Sequence, residues 1–177
     1  MKEMKKALIA VSLLFLLVGC GQKGSSPDST GISVENGAFT CLPTDIVNSI
    51  NDMVESDESG ILLGLGDYEE SGKAISSDNL GRLLVTLEEN NSGNLTSVRV
   101  YWDSDSNNEN VITTAGAYCS LLFEMLSPEN ADDIYDGVSG VISSGSGEVE
   151  YTNNGVMVSF QSLQGKNWLD IDALEET

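Results

Sequence analysis

The chain has 177 residues, 40% of them hydrophobic, and it carries 28 acidic but only eight basic side chains and no histidine, for a net charge of −20 at pH 7. After the first six positions the basic residues stand apart from one another, so no basic patch can neutralise phosphates, and nucleic acid is excluded as a main ligand. Without histidine the chain cannot build the Ser-His-Asp or Cys-His arrangements of hydrolases. We therefore expect a protein that is not an enzyme and needs no cofactor.

The first twenty residues have the organisation of an export signal. Residues 1–6 contain three lysines, residues 7–18 are an apolar segment with Ser12 as its single polar residue, and the segment ends in Leu17-Val18-Gly19-Cys20. An apolar run of this length is too short to cross a hydrocarbon core, which takes roughly twenty residues. A cysteine directly after a small residue at the end of such a signal resembles the lipobox of bacterial lipoproteins.

The resemblance to bacterial lipoproteins implies that residues 1–19 are a signal peptide that is removed. It also implies that Cys20 is acylated, with palmitate or a similar chain, and becomes the lipid anchor. Stable attachment needs more than one acyl chain, and a diacylated Cys20 meets that need. In bacteria with two membranes an aspartate after the cysteine holds such proteins at the inner membrane. Gly21 at that position favours the outer membrane, with the protein facing the periplasm.

The remaining chain divides into a tether and one domain. Residues 20–38 comprise the lipidated cysteine and a flexible Gly/Ser-rich tether, and residues 39–177 are sufficient for a single domain with its own core. Once residues 1–19 are gone, five basic and 27 acidic side chains remain, a net charge of −22. Such acidity fits a solvated surface, adaptation to salt, or the attraction of a cationic partner.

Apolar spacing predicts three helices. The first follows Thr44, the second begins near Thr113 or Thr114, and a short third one runs from Ser127 to a stop at Gly137. The stripe residues are Ile46, Val47, Ile50, Met53 and Val54 in the first helix and Tyr118, Leu121, Leu122, Met125 and Leu126 in the second.

Short apolar or alternating segments predict six strands, with turn residues between several of them. They span 61–65, 83–87, 95–102, 148–152, 156–163 and 168–172. Asn153-Asn154-Gly155 is a strong hairpin signal. The order of elements predicts an α+β fold, an antiparallel sheet with two to three helices on one face, and suggests two helix-plus-hairpin half-units.

Two cysteines remain besides Cys20. In an exported protein a remaining pair is expected to form a disulfide, because the compartment is oxidising, and we predict the bond between Cys41 and Cys119.

One acidic loop has part of the pattern of a calcium site. Asp103, Asp105 and Asn107 occupy the first three ligand positions of a calcium-binding loop. The pattern then departs, with Asn108 where glycine is needed and Thr114 where a bidentate glutamate is expected. A solvated acidic loop is the other interpretation.

Exposed tyrosines among carboxylates would suit a protein interface, and Tyr68, Tyr101 and Tyr151 are the candidates. The leading functional hypothesis is a lipid-anchored, non-catalytic binding module of the cell envelope. Its acidic surface would engage a cationic protein or peptide, as an inhibitor, immunity or exclusion factor does. The alternatives are a structural lipoprotein that supports envelope assembly by docking on a membrane protein, and a calcium-dependent binding domain.

Overall fold

The computed structural model describes residues 31–68, 73–75, 81–104 and 109–175. A layer of helices lies on one face of an antiparallel sheet whose strand order is β3-β4-β5-β8-β7-β6, and β1 and β2 form a separate two-stranded ribbon. The elements are β1 (Val34–Glu35), β2 (Ala38–Phe39), α1 (Pro43–Glu55), β3 (Lys73–Ile75), β4 (Leu83–Glu89), β5 (Leu95–Asp103), α2 (Glu109–Leu126), a 3₁₀ turn (Pro128–Asn130), α3 (Ala131–Ser144), β6 (Gly147–Asn153), β7 (Val156–Leu163) and β8 (Lys166–Ala173).

The strands are built on a period of two, which directs alternate side chains to the helix layer. The buried strand residues on this side include Leu83, Val85, Leu87, Val98, Val100, Trp102, Val158, Phe160, Leu169 and Ile171. Helix α1 packs on β4, α2 on β5, and α3 on β6 and β7. All of them contribute to one hydrophobic cluster. The predicted α+β fold, an antiparallel sheet with helices on one face, is confirmed.

The two halves of the chain follow the same plan. One helix, α1, precedes β3, β4 and β5, and another, α3, precedes β6, β7 and β8. Within each half the three strands pair as an antiparallel meander, and the last strands of the two meanders, β5 and β8, pair with each other. Each half-unit, predicted as a helix plus a hairpin, is in the structure a helix followed by a three-stranded meander.

Three of the connections are two-residue hairpins of the same kind. Both turn residues have a positive φ in Asn36-Gly37 (52° and 72°), Asn154-Gly155 (48° and 75°) and Gln164-Gly165 (51° and 77°). A pair of positive φ values is the type I′ turn, whose twist matches that of the flanking strands. The hairpin predicted at Asn153-Asn154-Gly155 is confirmed.

Helix α2 is the centre of the helix layer and begins earlier than expected, at Glu109. Ten of its eighteen residues are buried, including Tyr118, Phe123 and the polar Thr114. Helix α1 begins at Pro43 rather than after Thr44, and the Asp45 carboxylate accepts a hydrogen bond of 2.8 Å from the Leu42 amide. That bond satisfies an amide at a helix start, where no intrahelical acceptor exists.

Helix α3 is longer than the sequence predicts, and Gly137 is not its stop. The helix runs on to Gly145, which adopts a left-handed conformation (φ 83°) and donates its amide to the carbonyls of Val141 and Ile142. Gly137 serves packing instead. A Cβ atom there would lie 2.1 Å from the Tyr151 hydroxyl oxygen, so only glycine leaves room for the tyrosine from β6.

The strand predicted at 61–65 is wrong, because this segment is a loop whose backbone is held by side chains of α1 and α2. The Asn51 side chain accepts from the Leu65 amide (2.8 Å) and donates to the Leu65 carbonyl (3.1 Å). Thr114 Oγ1 accepts from the Leu63 amide (3.1 Å), and the Tyr118 hydroxyl donates to the Leu63 carbonyl. Side chains of α1 and α2 thus satisfy the backbone of Leu63 and Leu65, and the segment forms no more than a single bridge at Leu65.

The same loop begins with a carboxylate-centred turn. Asp57 accepts hydrogen bonds from the amides of Ser59, Ile61 and Leu62, at 2.9–3.0 Å, and from the Ser59 hydroxyl at 2.6 Å. Partial burial raises the pKa of Asp57, but these hydrogen bonds outweigh it and hold that pKa below its ordinary value of 3.8. The ionised carboxylate therefore organises the turn.

The Gly137 contact gives a stability test. We expect Gly137→Ala to lower the free energy of unfolding by about 1–3 kcal/mol, because the overlap with Tyr151 outweighs the gain in helix propensity. Gly140→Ala in the same helix meets nothing within 4 Å and should raise it by roughly 0.5–1 kcal/mol. Adding Tyr151→Phe to Gly137→Ala should recover part of the lost stability. Urea unfolding of the parent protein, the two single glycine variants and this double variant measures the effects, and equal changes at the two glycines would contradict the prediction.

Candidate functional site

The candidate site is the sheet face that none of the described helices covers, which we call the open face. Residues that alternate with the buried ones form cross-strand rows on it. The first row is Leu84, Tyr101, Trp168, Gln161 and Glu148, and the second is Thr86, Arg99, Asp170, Ser159 and Glu150. Each row crosses β4, β5, β8, β7 and β6 in that order. The face therefore combines aromatic, ionic and amide groups across five strands.

An aromatic pair stands at the middle of the first row. Tyr101 and Trp168 are directly opposite each other on β5 and β8, with ring centroids 5.7 Å apart and an interplanar angle of 46°. Both rings are half-buried, so each retains exposed apolar surface. A tilted aromatic pair of this kind contributes about 0.5–1.5 kcal/mol beyond its buried area. It forms an apolar platform in the middle of a face that also carries ionic and amide groups.

An ion pair stands beside the aromatic platform in the second row. The Arg99 guanidinium donates from Nε to Asp170 Oδ1. This hydrogen bond raises the pKa of Arg99, so the guanidinium stays charged. The Arg99 side chain is 56% exposed and that of Asp170 is 21% exposed, so the pair fixes two charged groups at the surface.

A hollow of about 680 Å³ extends from this ion pair to the edge strand β6. Its polar and aromatic walls include Arg99, Asp170, Trp168, Gln161, Glu148 and Glu150. The last two carboxylates are exposed and have no basic partner within the described part of the chain. Two unneutralised carboxylates beside an indole suit a cationic group, because an indole face and a carboxylate both attract positive charge.

The strand end that carries Trp168 is held by a buried amide. Asn167 is 1% exposed, and its Nδ2 donates to Ser104 Oγ (3.1 Å) and to the Gly165 carbonyl (3.2 Å). The Ser104 amide also donates to the Gly165 carbonyl at 2.7 Å. These bonds tie the β7–β8 turn to the end of β5. Trp168 and Tyr101 are thereby kept in register.

Charge is distributed unevenly between the two sides of the sheet. Arg99 and Lys166 alternate with buried residues and so belong to the open face, and Arg82 directly precedes the buried Leu83. The described helices and the 3₁₀ turn contain no lysine or arginine. They expose the carboxylates of Asp45, Asp52, Glu55, Glu109, Glu124, Glu129, Asp132, Asp133 and Asp136.

The three tyrosines predicted for an interface do not lie together. Tyr101 is on the open face, whereas the Tyr151 hydroxyl donates to the Asp133 carbonyl (3.0 Å) on the helix side, and the Tyr68 hydroxyl donates to Glu89 at 3.4 Å. A tryptophan on a periodic segment favours the core, yet Trp168 lies on the open face. Its position follows from the alternation of β8, in which Asn167, Leu169 and Ile171 are the buried residues.

Of the predicted calcium ligands, Asp103 lies at the end of β5, and Asp105 and Asn107 lie outside the described residues. Within the residues that are described, no group of three histidine, cysteine or carboxylate side chains is placed to hold a metal ion.

The disulfide predicted between Cys41 and Cys119 is not formed in the structure, in which both are buried free thiols. The Cys41 carbonyl accepts from the Leu95 amide at the start of β5, whereas Cys119 lines a small cavity with Trp102 near the end of that strand. The seven residues of strand between these two places span roughly 23 Å. A disulfide needs Cα atoms within about 7 Å, so cysteines near opposite ends of β5 are too far apart to form one.

Residues 1–30, which include the lipobox and Cys20, lie outside the described part of the chain. Among the helices that are described, none combines the length and the apolar character needed to cross a membrane. No protein-family model matches the chain, and no curated protein or solved structure is similar to it.

The buried thiols give a pH test. Burial raises the pKa of Cys41 to about 11, with a contribution from Asp45, and burial raises that of Cys119 to about 12, both from an ordinary value of 9.0. The unfolded chain therefore loses these protons first, so stability should be constant with respect to them below pH 9 and fall as the pH rises toward 11–12. Urea unfolding between pH 7 and 11 measures this.

The control is the double variant Cys41→Ala and Cys119→Ala. At neutral pH the double variant should have a lower free energy of unfolding than the parent, because the smaller alanine side chains leave cavities. Between pH 9 and 11 its free energy of unfolding should fall less steeply than that of the parent. A decline as steep as that of the parent protein would contradict the assignment to the thiols.

Proposed function

We propose that the protein is a lipid-anchored, non-catalytic binding module of the bacterial envelope that engages a cationic protein or peptide through the open face. The observation that carries the proposal is the hollow beside β6, with Glu148 and Glu150 at its rim and Trp168 in its wall. Both carboxylates are exposed and have no basic partner in the described chain. A lysine or arginine side chain of a partner would supply the missing charge.

Three features support this site over the helix layer, although both surfaces are acidic. The open face offers apolar contact through the Tyr101–Trp168 pair, a polar amide in Gln161 and a preformed depression. Aromatic side chains are enriched at interfaces, because they provide large contact area at low entropic cost. The helix layer offers carboxylates on convex helical surfaces, which attract cations at long range. We assign long-range steering to the helices and contact to the open face.

The lipid anchor is part of the proposal and rests on Leu17-Val18-Gly19-Cys20. Acylation of Cys20 would place the module at the membrane surface, and the Gly/Ser-rich composition of residues 21–30 is typical of a linker. A module held at the membrane surface by a linker suits the capture of a partner in the periplasm. The proposed location is the outer membrane, facing the periplasm.

The anchor is tested by metabolic labelling with radioactive palmitate in a bacterial host. We expect the full-length protein to incorporate label and Cys20→Ser to lose it, because the acyl chains are attached to that sulfur. Cys41→Ala is the matched control and should label as the parent does, since Cys41 is buried in the domain. Label retained in Cys20→Ser, or absent from the parent protein, would contradict the anchor.

Recognition of cations is tested with a heptalysine peptide and the full-length protein in detergent. Neutralising Glu148 and Glu150 to glutamine should weaken binding by roughly fivefold, the sum of two exposed ion pairs, and Trp168→Ala should weaken it further. Asp52→Asn with Glu55→Gln removes the same charge from α1 and should change the dissociation constant much less.

Titration calorimetry at about 20 and 200 mM salt measures these constants, and affinity should fall at the higher concentration because salt screens exposed charges. Equal losses in the two double variants, or binding that ignores salt, would contradict recognition at the open face.

A further inference from the structure

We infer that the free edge of β6 accepts an additional strand from the partner, an extended segment in which basic and apolar side chains alternate. The inference rests on the proposed function and specifies how the cationic partner is bound. Strand addition to a sheet edge obtains affinity from main-chain hydrogen bonds and specificity from alternate side chains. Both requirements can be read from β6.

The edge of β6 is long and regular. Among the strands that the structure describes, β6 is the last in the sheet and pairs with β7 alone, over seven consecutive residue pairs from Gly147 to Asn153 without a bulge. Proteins usually guard such an edge with proline, charged side chains, a bulge or a very short strand. β6 contains neither proline nor lysine, and its charged side chains are the carboxylates of Glu148 and Glu150, which repel an acidic strand and attract a basic one.

The two faces of β6 define what the added strand must carry. Glu148 and Glu150 point to the open face, in register with Gln161 and Ser159. Val149 and Tyr151 point to the helix side, where Val149 is half-buried and none of the described strands lies beyond it. The half-buried Val141 of α3 is close by, 3.5 Å from where a Gly147 side chain would begin.

An added strand would lie about 4.8 Å from β6, so its side chains would meet those of β6 face by face. Basic side chains on the open face would pair with Glu148 and Glu150. Apolar side chains on the other face would cover Val149 and Val141. The complementary sequence is therefore an alternation of lysine or arginine with valine or a similar residue.

A second copy of this chain does not meet these requirements. Antiparallel pairing of β6 with itself would set Glu148 and Glu150 against the carboxylates of the other copy. Like charges directly opposite each other are destabilising. The excess of acidic residues over the whole chain adds long-range repulsion between copies. The charge pattern selects a basic partner strand.

The test uses the peptide Lys-Val-Lys-Val-Lys-Val-Lys with the full-length protein in detergent. We expect it to bind more tightly than a peptide of the same composition in which the lysines and the valines are grouped. At a peptide concentration ten times the dissociation constant, hydrogen exchange of the outward β6 amides should slow by about tenfold, in line with the bound fraction. The buried amides of β8 serve as the internal control.

Two N-methylated versions of the peptide sharpen the test, one methylated at every lysine and one at every valine. Alternate amides of a strand point to opposite edges, and an added strand uses only one edge. One version should therefore lose binding and the other retain it. Val149→Lys, which places a charge on the helix side of the edge, should weaken binding of the parent peptide by at least fivefold.

The outcomes separate this inference from the proposed function. Binding that depends on Glu148 and Glu150 but is equal for alternating and grouped peptides, without slower exchange in β6, would overturn strand addition and leave cation recognition standing. Strand addition is likewise overturned if both N-methylated peptides bind, or if neither does while heptalysine still binds. No binding of heptalysine or of the alternating peptide would overturn both.

Discussion

The architecture depends on one constraint, the pleat of the two central strands. β5 and β8 are paired along most of their length, and their alternate residues, such as Val98, Val100, Leu169 and Ile171, must all face the same side. Each apolar side chain buried there stabilises the fold by roughly 1.5–3 kcal/mol. The intervening residues are thereby forced to the opposite side. The same alternation that builds the core therefore also determines which side chains lie on the open face.

This constraint explains why the groups of the candidate site are well positioned although none of the described helices packs on that face. Arg99, Tyr101, Trp168 and Asp170 are neighbours because strand register sets them opposite each other, and the register is maintained by core residues on the same strands. Antiparallel sheets commonly keep one face solvated. Here that face carries an aromatic pair, an ion pair and a hollow. A rigid sheet holds such groups more exactly than loops do.

Local chemistry made the longer strands and one hairpin turn predictable. β1, β2 and β3 are not predicted, and β1 lies in the segment expected to be a tether. Period-two alternation located β4, β5, β7 and β8, and Asn-Gly located the β6–β7 turn. Three features depended on contacts distant in sequence. A glycine such as Gly137 is typical of a helix end, yet α3 continues through it. Tyr151, fourteen residues later, occupies the space that a side chain at position 137 would need. The 61–65 segment has strand composition, yet its backbone partners are side chains. Tryptophan is typical of a protein core, but Trp168 alternates with the buried Leu169 along β8 and therefore lies on the other face of the sheet.

The clamp on the 61–65 loop bears on the order of events in folding. Its backbone at Leu63 is bonded to Thr114 and Tyr118, which are 51 and 55 residues further along the chain. Those partners exist as a surface only after α2 has docked on β5, and closing so long a connection costs chain entropy in advance. We therefore expect the segment to assemble late, on a helix layer that has already formed.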